Sequence, residues 1–214
     1  MAPEAHALRQ QIIDAACTLA GKGLSPGLSG NVSARSGDKL LITPTATHYE
    51  ALTTADIVEV GLDGAIAEGQ RKPSNETPFH QAIYNTYPDA HAVIHTHSPK
   101  ASALACLAKP IPAFHYMVAV AGGHQIPCAA YKTPGSNALA EELVQTLKGY
   151  MACLMANHGQ IVLGSTLSAA VSLTGEIENL SGMYLDILAA GEPQLLSGAE
   201  MEEVLALFAD YRPA

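Results

Sequence analysis

Residues 92–97 read Ala-Val-Ile-His-Thr-His, an apolar, β-branched run that is too short for a helix and closes on two histidines. It is read as a strand. Alternate residues of a strand share a face about 6.5 Å apart, so His95 and His97 can turn both imidazoles toward one ion at about 2.0–2.1 Å per bond. A His-x-His pair alone is a weak signal, and a third ligand has to come from elsewhere in the chain. His158, in Met-Ala-Asn-His-Gly-Gln just past the apolar run Cys153, Leu154, Met155, supplies it. Three histidines leave a coordination position open, which is the mark of a catalytic rather than a structural metal site.

Upstream, residues 73–80 read Pro-Ser-Asn-Glu-Thr-Pro-Phe-His. Glu76 is the candidate general base beside the metal, or a displaceable fourth ligand. It also suits the first turn of a helix that Ser74 or Asn75 would cap, and the two roles are compatible.

The composition bounds what surrounds this centre. With 214 residues, 48% of them hydrophobic and 14% charged, the chain can bury one substantial core, and one domain spanning 1–214 is expected. A formal charge of −9, a pI near 5.4 and 11 Lys and Arg residues without a cluster beyond Arg71-Lys72 exclude a nucleic-acid surface. An anionic substrate must then be held locally, by backbone N–H groups and hydroxyls. Cys17, Cys106, Cys128 and Cys153 form no Cys-x-x-Cys pair, lie in mostly apolar settings and read as buried free thiols of a reduced compartment. No signal-peptide pattern and no membrane-length apolar run is present, so a soluble cytoplasmic protein is expected, with no membrane partner.

Working outward along the chain, residues 4–21 carry an amphipathic helix ended by Gly21 and Gly23. The loop at 23–33 is rich in Gly and Ser. It leads into strands Val32–Arg35 and Leu40–Thr43, joined by a hairpin at Ser36-Gly37-Asp38. This loop lacks Gly-Lys-Ser/Thr and Gly-x-Gly-x-x-Gly, which excludes the common nucleotide-binding loops. Ile57–Val60 extends an antiparallel meander. Helices follow at about 76–85, 99–107, 136–148, 166–190 and 199–210. Antiparallel strands with helices on both faces give an α/β fold, a three-layer α/β/α sandwich.

Taken together and in order, Gly-Asn-Val-Ser (30–33), Ile-Thr-Pro-Thr (42–45), Pro-Ser-x-Glu (73–76), His-x-His (95–97), His-Tyr-Met-x-Ala-x-Ala-Gly-Gly (115–123) and Asn-His-Gly (157–159) resemble the class II aldolase/adducin family over nearly the whole chain. Within it the chain is most similar to the aldolases of the L-fuculose 1-phosphate type. The resemblance implies a largely antiparallel sheet and a homotetramer of four-fold symmetry with active sites shared between subunits. It implies one Zn²⁺ per chain on His95, His97 and His158, with Glu76 as catalytic acid/base. A catalytic Tyr116 reaches in from the next subunit, and Tyr211 assists near the C-terminus. The substrate would be a small sugar phosphate whose phosphate is held by Gly30, Asn31, Thr45, Ala46, Ser74 and Asn75.

The chain departs from the aldolase pattern at Ala46, where the pattern has glycine, and at Asn75, where it has serine. Aldolases of 5-deoxy- or 5-methylthio-ribulose 1-phosphate therefore stay open as alternatives, as do a same-fold epimerase, dehydratase or decarboxylase. A non-enzymatic adducin-like scaffold would need none of the three histidines. His80, His115 and His124 are expected in supporting or structural roles.

Overall fold

A computed structural model describes residues 3–210. Helix α1 (Pro3–Gly21) precedes a hairpin of β1 (Asn31–Ser36) and β2 (Lys39–Ile42), followed by β3 (Val58–Gly61), α2 (Thr77–Thr86), β4 (Ala92–Thr96) and α3 (Pro99–Ala105). A 3₁₀ turn at Tyr116–Ala121 leads to β5 (Cys128–Ala129), α4 (Asn137–Thr146), β6 (Ala152–Met155), β7 (Gly159–Gly164), α5 (Leu167–Ala190) and α6 (Gly198–Asp210). The sheet order is β3-β2-β1-β4-β7-β6-β5, antiparallel throughout except for the short β5–β6 pair.

The expected meander is formed by β1, β2 and β3. After β3 the chain runs through α2 and places β4 on the other side of β1, so the two middle strands of the site come from separate sequence motifs. Strand β7 was not anticipated. Its residues Gln160 to Leu163 pair with β4 on one side and β6 on the other, which makes it a central strand flanked by two glycines. The β6–β7 hairpin turns through Ala156, Asn157 and His158, with Asn157 at φ 55, a left-handed conformation that asparagine tolerates better than most residues. This turn presents His158 beside the end of β4.

Side chains alternate between two apolar layers. Val32, Ala34, Ala92, Ile94 and Val162 face α1, α3 and α5, while Leu40, Ile42, Val93, Ile161 and Leu163 face α2 and α4. Both faces are covered, so the central strands are apolar on both sides. Each fully buried Val, Leu or Ile contributes about 1.5–3 kcal/mol of transfer free energy. Two glycines of the sequence motifs are explained by close backbone approach. A Cβ on Gly30, which already has φ +85, would lie 2.7 Å from the His95 carbonyl oxygen, and one on Gly159 would strike the Thr96 carbonyl.

Two local expectations need correction. Strand β4 ends at Thr96, so His97 stands one residue beyond it and strand alternation alone does not aim its ring. Neither Ser74 nor Asn75 caps α2 with its side chain. Glu76 occupies the N-cap position, and its carboxylate makes no capping bond because it turns toward the histidines.

Candidate active site

The register of β1 against β4 sets Asn31 opposite His95, and β4 against β7 sets His95 opposite Ile161. His95 therefore points to the α2 side from the middle of the sheet, fully buried. Its Nδ1 is 2.8 Å from the Gln160 carbonyl oxygen, so Nδ1 carries the proton and Nε2 keeps its lone pair free. The Gln160 side chain donates to Ser98 Oγ at 2.7 Å, tying the residue after His97 to the same strand. Glu178 of α5 accepts from the backbone N–H groups of Lys100 and Ala101 at 2.8 and 2.9 Å, which fixes the first turn of α3 behind that loop.

The rings of His95, His97 and His158 stand 4.7–4.8 Å apart pairwise at 68–71°. His97 Nε2 lies 3.0 Å from His95 Nε2, and the two Glu76 oxygens lie 3.2 Å from the Nε2 atoms of His95 and His158. One ligand atom from each of the four residues falls within 4.8 Å of the others, the one such grouping of three or more ligand side chains among the described residues. Burial pushes His95 down to about 4, although the Glu76 charge pulls the other way, and burial also lowers His97. Neutral imidazoles with converging lone pairs are what a divalent ion requires. Glu76 Oε1 is buried without a hydrogen-bond partner, and a cation among these nitrogens would satisfy it. The residues present fit a divalent metal ion.

For Glu76, burial favours the acid. The opposing pull of His95 and His158 with the Asn31 hydrogen bond outweighs it and holds the carboxyl down at about 2. Asn31 Nδ2 donates to Glu76 Oε2 at 2.9 Å and to Ser74 Oγ at 3.1 Å.

A cavity of about 390 Å³ opens from the cluster, with Glu76, His97 and His158 in its wall. Gly30, Asn31, Thr45, Ala46, Ser74 and Asn75 all line it, so the structure gathers the six residues expected at a phosphate from three separate segments of the chain. No Lys or Arg is among its lining residues. Ala46 adopts φ 50, the conformation for which glycine is the usual residue. Sequence reading missed the far wall, made by Tyr49 and by Pro134-Gly135. A Cβ on Gly135 (φ +74) would sit 2.8 Å from the Asn75 carbonyl oxygen, so this glycine lets a distant loop close on the 73–76 segment. A Pro-Gly pair before a helix is too common a turn signal to have revealed that contact.

Tyr116 is not brought to the cluster within its own chain. It is 49% exposed, packs on His115 and Phe208, and does not line the cavity. Tyr211 lies outside the described residues. His124 pairs with Glu202 of α6 at 2.8 Å, and His115 Nδ1 accepts from the Met117 N–H, both structural roles. His80 is fully buried beneath Asn31.

Residues 10–185 match the family model described as Class II Aldolase and Adducin N-terminal domain. The chain belongs to the class II aldolase and adducin family. Among this family's members, the 5-methylthioribulose-1-phosphate/5-deoxyribulose-1-phosphate aldolase of Rhodospirillum rubrum is 46% identical over 205 residues, covering 96% of this chain and 92% of that protein. The L-fuculose phosphate aldolase of Escherichia coli strain K12 is 43% identical over 209 residues, covering 97% of each. A solved L-fuculose 1-phosphate aldolase superposes with a TM-score of 0.91 at 34% identity, over 95% of this chain and 96% of that one. The chain is thus an enzyme of the class II aldolase type, and the α/β sandwich expected from its sequence is the fold of that family.

Proposed function

We propose that this chain cleaves a ketose 1-phosphate of the L-fuculose 1-phosphate type, reversibly, to dihydroxyacetone phosphate and an aldehyde. The observation that carries the reading is the two-ended cavity. Three imidazole nitrogens and Glu76 converge at one end, and a loop cradle of uncharged donors lies at the other. His95, His97 and His158 would hold one Zn²⁺, which when bound would supply Lewis-acid stabilisation of the charge that develops on the donor.

In the condensation direction, Glu76 takes the proton from the carbinol carbon of dihydroxyacetone phosphate. The electron pair released adds to the aldehyde carbon, the new carbon–carbon bond forms, and Tyr116 gives its phenolic proton to the resulting alkoxide. Cleavage is the reverse. A carboxyl held near 2 is ionised at neutral pH, as the base role requires. The exposed position of Tyr116 supports its donation to a neighbouring subunit's site in a C4 tetramer, where each interface is heterologous. Gly30, Asn31, Thr45, Ala46, Ser74 and Asn75 would hold the phosphate through N–H and O–H groups, with the Asn31 side chain committed to Glu76, Ser74 and His80. Of the four thiols expected to be buried only Cys153 is, with Cys17 and Cys128 half-buried and Cys106 exposed, but all four are free, which supports a cytoplasmic setting.

The second reading, cleavage of 5-deoxy- or 5-methylthio-ribulose 1-phosphate, is favoured by the 46% identical relative. It keeps the same donor and chemistry and differs only in the aldehyde. Product analysis over L-fuculose 1-phosphate and the two ribulose 1-phosphates decides between them. Release of dihydroxyacetone phosphate from one of these is expected. Turnover without that product would point to the family's epimerase, dehydratase or decarboxylase chemistry instead.

A further inference from the structure

Besides His95 of the cluster and Arg35, whose guanidinium lies 4.9 Å over the Tyr84 ring, the face of the sheet under α2 carries a row of polar side chains that runs inward from the cavity. Tyr84, His80 and Ser33 are fully buried in it, next to Leu40, Ile42, Ile83 and Val93. Tyr84 Oη lies 2.8 Å from Ser33 Oγ, Ser33 Oγ lies 2.7 Å from His80 Nδ1, and His80 Nε2 makes a short hydrogen bond to Asn31 Oδ1. Polar groups in such a layer persist only when each is hydrogen-bonded, so the row has to be read as a unit.

Its direction is fixed from the cavity end. Asn31 faces the Glu76 carboxylate with one amide group and His80 with the other. A carboxylate can only accept, so the amide nitrogen must face Glu76 and the amide oxygen must face His80. His80 Nε2 is then the donor to that oxygen, and Nδ1 of the neutral ring accepts from the Ser33 hydroxyl. Ser33 Oγ in turn accepts from Tyr84. Ser33 Oγ also lies 3.4 Å from the Val93 carbonyl oxygen, but a Ser33 proton spent there would leave Nδ1 of the neutral ring without a donor, so the ring is satisfied only when Ser33 donates to His80.

The same orientation reaches Ser74. Its Oγ accepts from Asn31 Nδ2 at 3.1 Å and from the Glu76 backbone N–H at 3.2 Å. With both lone pairs engaged, the Ser74 hydroxyl has only its proton left to offer, and Ser74 lines the cavity. If the Asn31 amide turned over, its oxygen would face the Glu76 carboxylate and would draw the Ser74 proton away from the cavity.

We propose that His80 is a positioning residue, which as an Nε2–H donor locks the Asn31 amide so that Glu76 receives a hydrogen bond and Ser74 is left as an obligate donor to the substrate's anionic group. The effect on turnover rests on the aldolase reading above. The effects on ring tautomer and on anion binding do not.

Long-range ¹⁵N–¹H correlation of the imidazoles should show His80 as the Nε2–H tautomer, and the Nδ1–H tautomer would overturn the proposal. Calorimetry with inorganic phosphate, and steady-state release of dihydroxyacetone phosphate, should then be compared in His80→Leu and His80→Gln. The leucine variant should bind phosphate about 10-fold more weakly and lose about 10-fold in kcat, the worth of one lost hydrogen bond at each group. Glutamine keeps an N–H near the Nε2 position and should recover most of both. In an Asn31→Ala background His80→Leu should cost nothing further. Equal losses in the leucine and glutamine variants, or an undiminished loss in the Asn31→Ala background, would refute the positioning role. If His80→Leu does not fold, Ser33→Ala carries the test, because it leaves the ring in place and frees its tautomer. An approximately 3-fold loss of phosphate affinity that vanishes with Asn31→Ala is expected there, and an unchanged affinity counts against the proposal.

Discussion

The two ends of the cavity are built on different principles. At the cluster end, His95 sits in the middle of a seven-stranded sheet, its ring nitrogen is held by the Gln160 carbonyl, and Glu76 is oriented by Asn31. The other end is made of loop residues, contains no basic side chain, and includes an alanine in a left-handed conformation. Where a charge must be held whether or not substrate is present, strand register and burial fix the ligands. Where the substrate brings its own charge, neutral donors suffice, and the loops that carry them can vary between relatives. The cluster end should therefore respond to substitution through chemistry and metal content, and the loop end through binding.

The sharpest way to break that contrast is at the cluster. His95→Ala should abolish metal retention and with it turnover, and elemental analysis showing about one zinc per chain in the variant would remove the site. Glu76→Gln keeps the shape and removes the base. Exchange of the donor's C–H with deuterated water should slow by about 10²-fold or more, with metal content nearly intact. Unchanged exchange would assign the base elsewhere.

Next in size is the test of the shared site. Glu76→Gln and Tyr116→Phe chains, mixed equally and reassembled, should regain activity in about one site in four, since each site draws its two groups from two chains at random. Mixed oligomers no more active than the parents would place Tyr116 outside the neighbour's site.

At the loop end, Ser74→Ala should act mainly on KM, by roughly 10- to 150-fold for a charge-assisted hydrogen bond of about 1.5–3 kcal/mol. A comparable fall in kcat at saturating substrate would erase the distinction between the two ends.

The smallest effect concerns the layer that joins them. Burial pushes His80 from its ordinary 6.5 to about 3, with His95 adding to the depression. The unfolded chain takes up this proton first, so stability contributed by the neutral ring is intact above pH 6.5 and is lost as pH falls toward 3. At pH 5 that loss is about 2 kcal/mol. Urea unfolding at pH 7 and pH 5 should show it in the parent chain, and the difference should shrink by that amount in His80→Gln. An equal pH response in both chains would mean the ring is not held neutral.

Much of the site was legible in the residues themselves. His-x-His at the end of an apolar run, Glu76 after Pro-Ser-Asn, and Asn-His-Gly after a second apolar run are local patterns, and the structure places all four side chains together. The layered α/β class followed from helical and strand periodicity, which depends on neighbours within a few residues. Strand β7 escaped although Ile161, Val162 and Leu163 are apolar and mostly β-branched, because a run of three residues is too short to show a period.

The sequence by itself determined which residues could bind a metal, that an anion would have to be held without a basic cluster, and which segments would be apolar enough to be buried. Only the tertiary structure decided that β7 lies between β4 and β6, that His97 reaches the cluster from beyond its strand, and that Gly135 closes on Asn75. It also decided that Ser74 and Asn75 leave the helix uncapped while Glu76 serves the histidines, and that His80 stands behind Asn31. The physical reason is that residue type and spacing fix what a side chain can do, whereas strand pairing over tens of residues fixes which groups meet. A hydrogen bond from His80 to Asn31, 49 positions apart, leaves no trace in local periodicity.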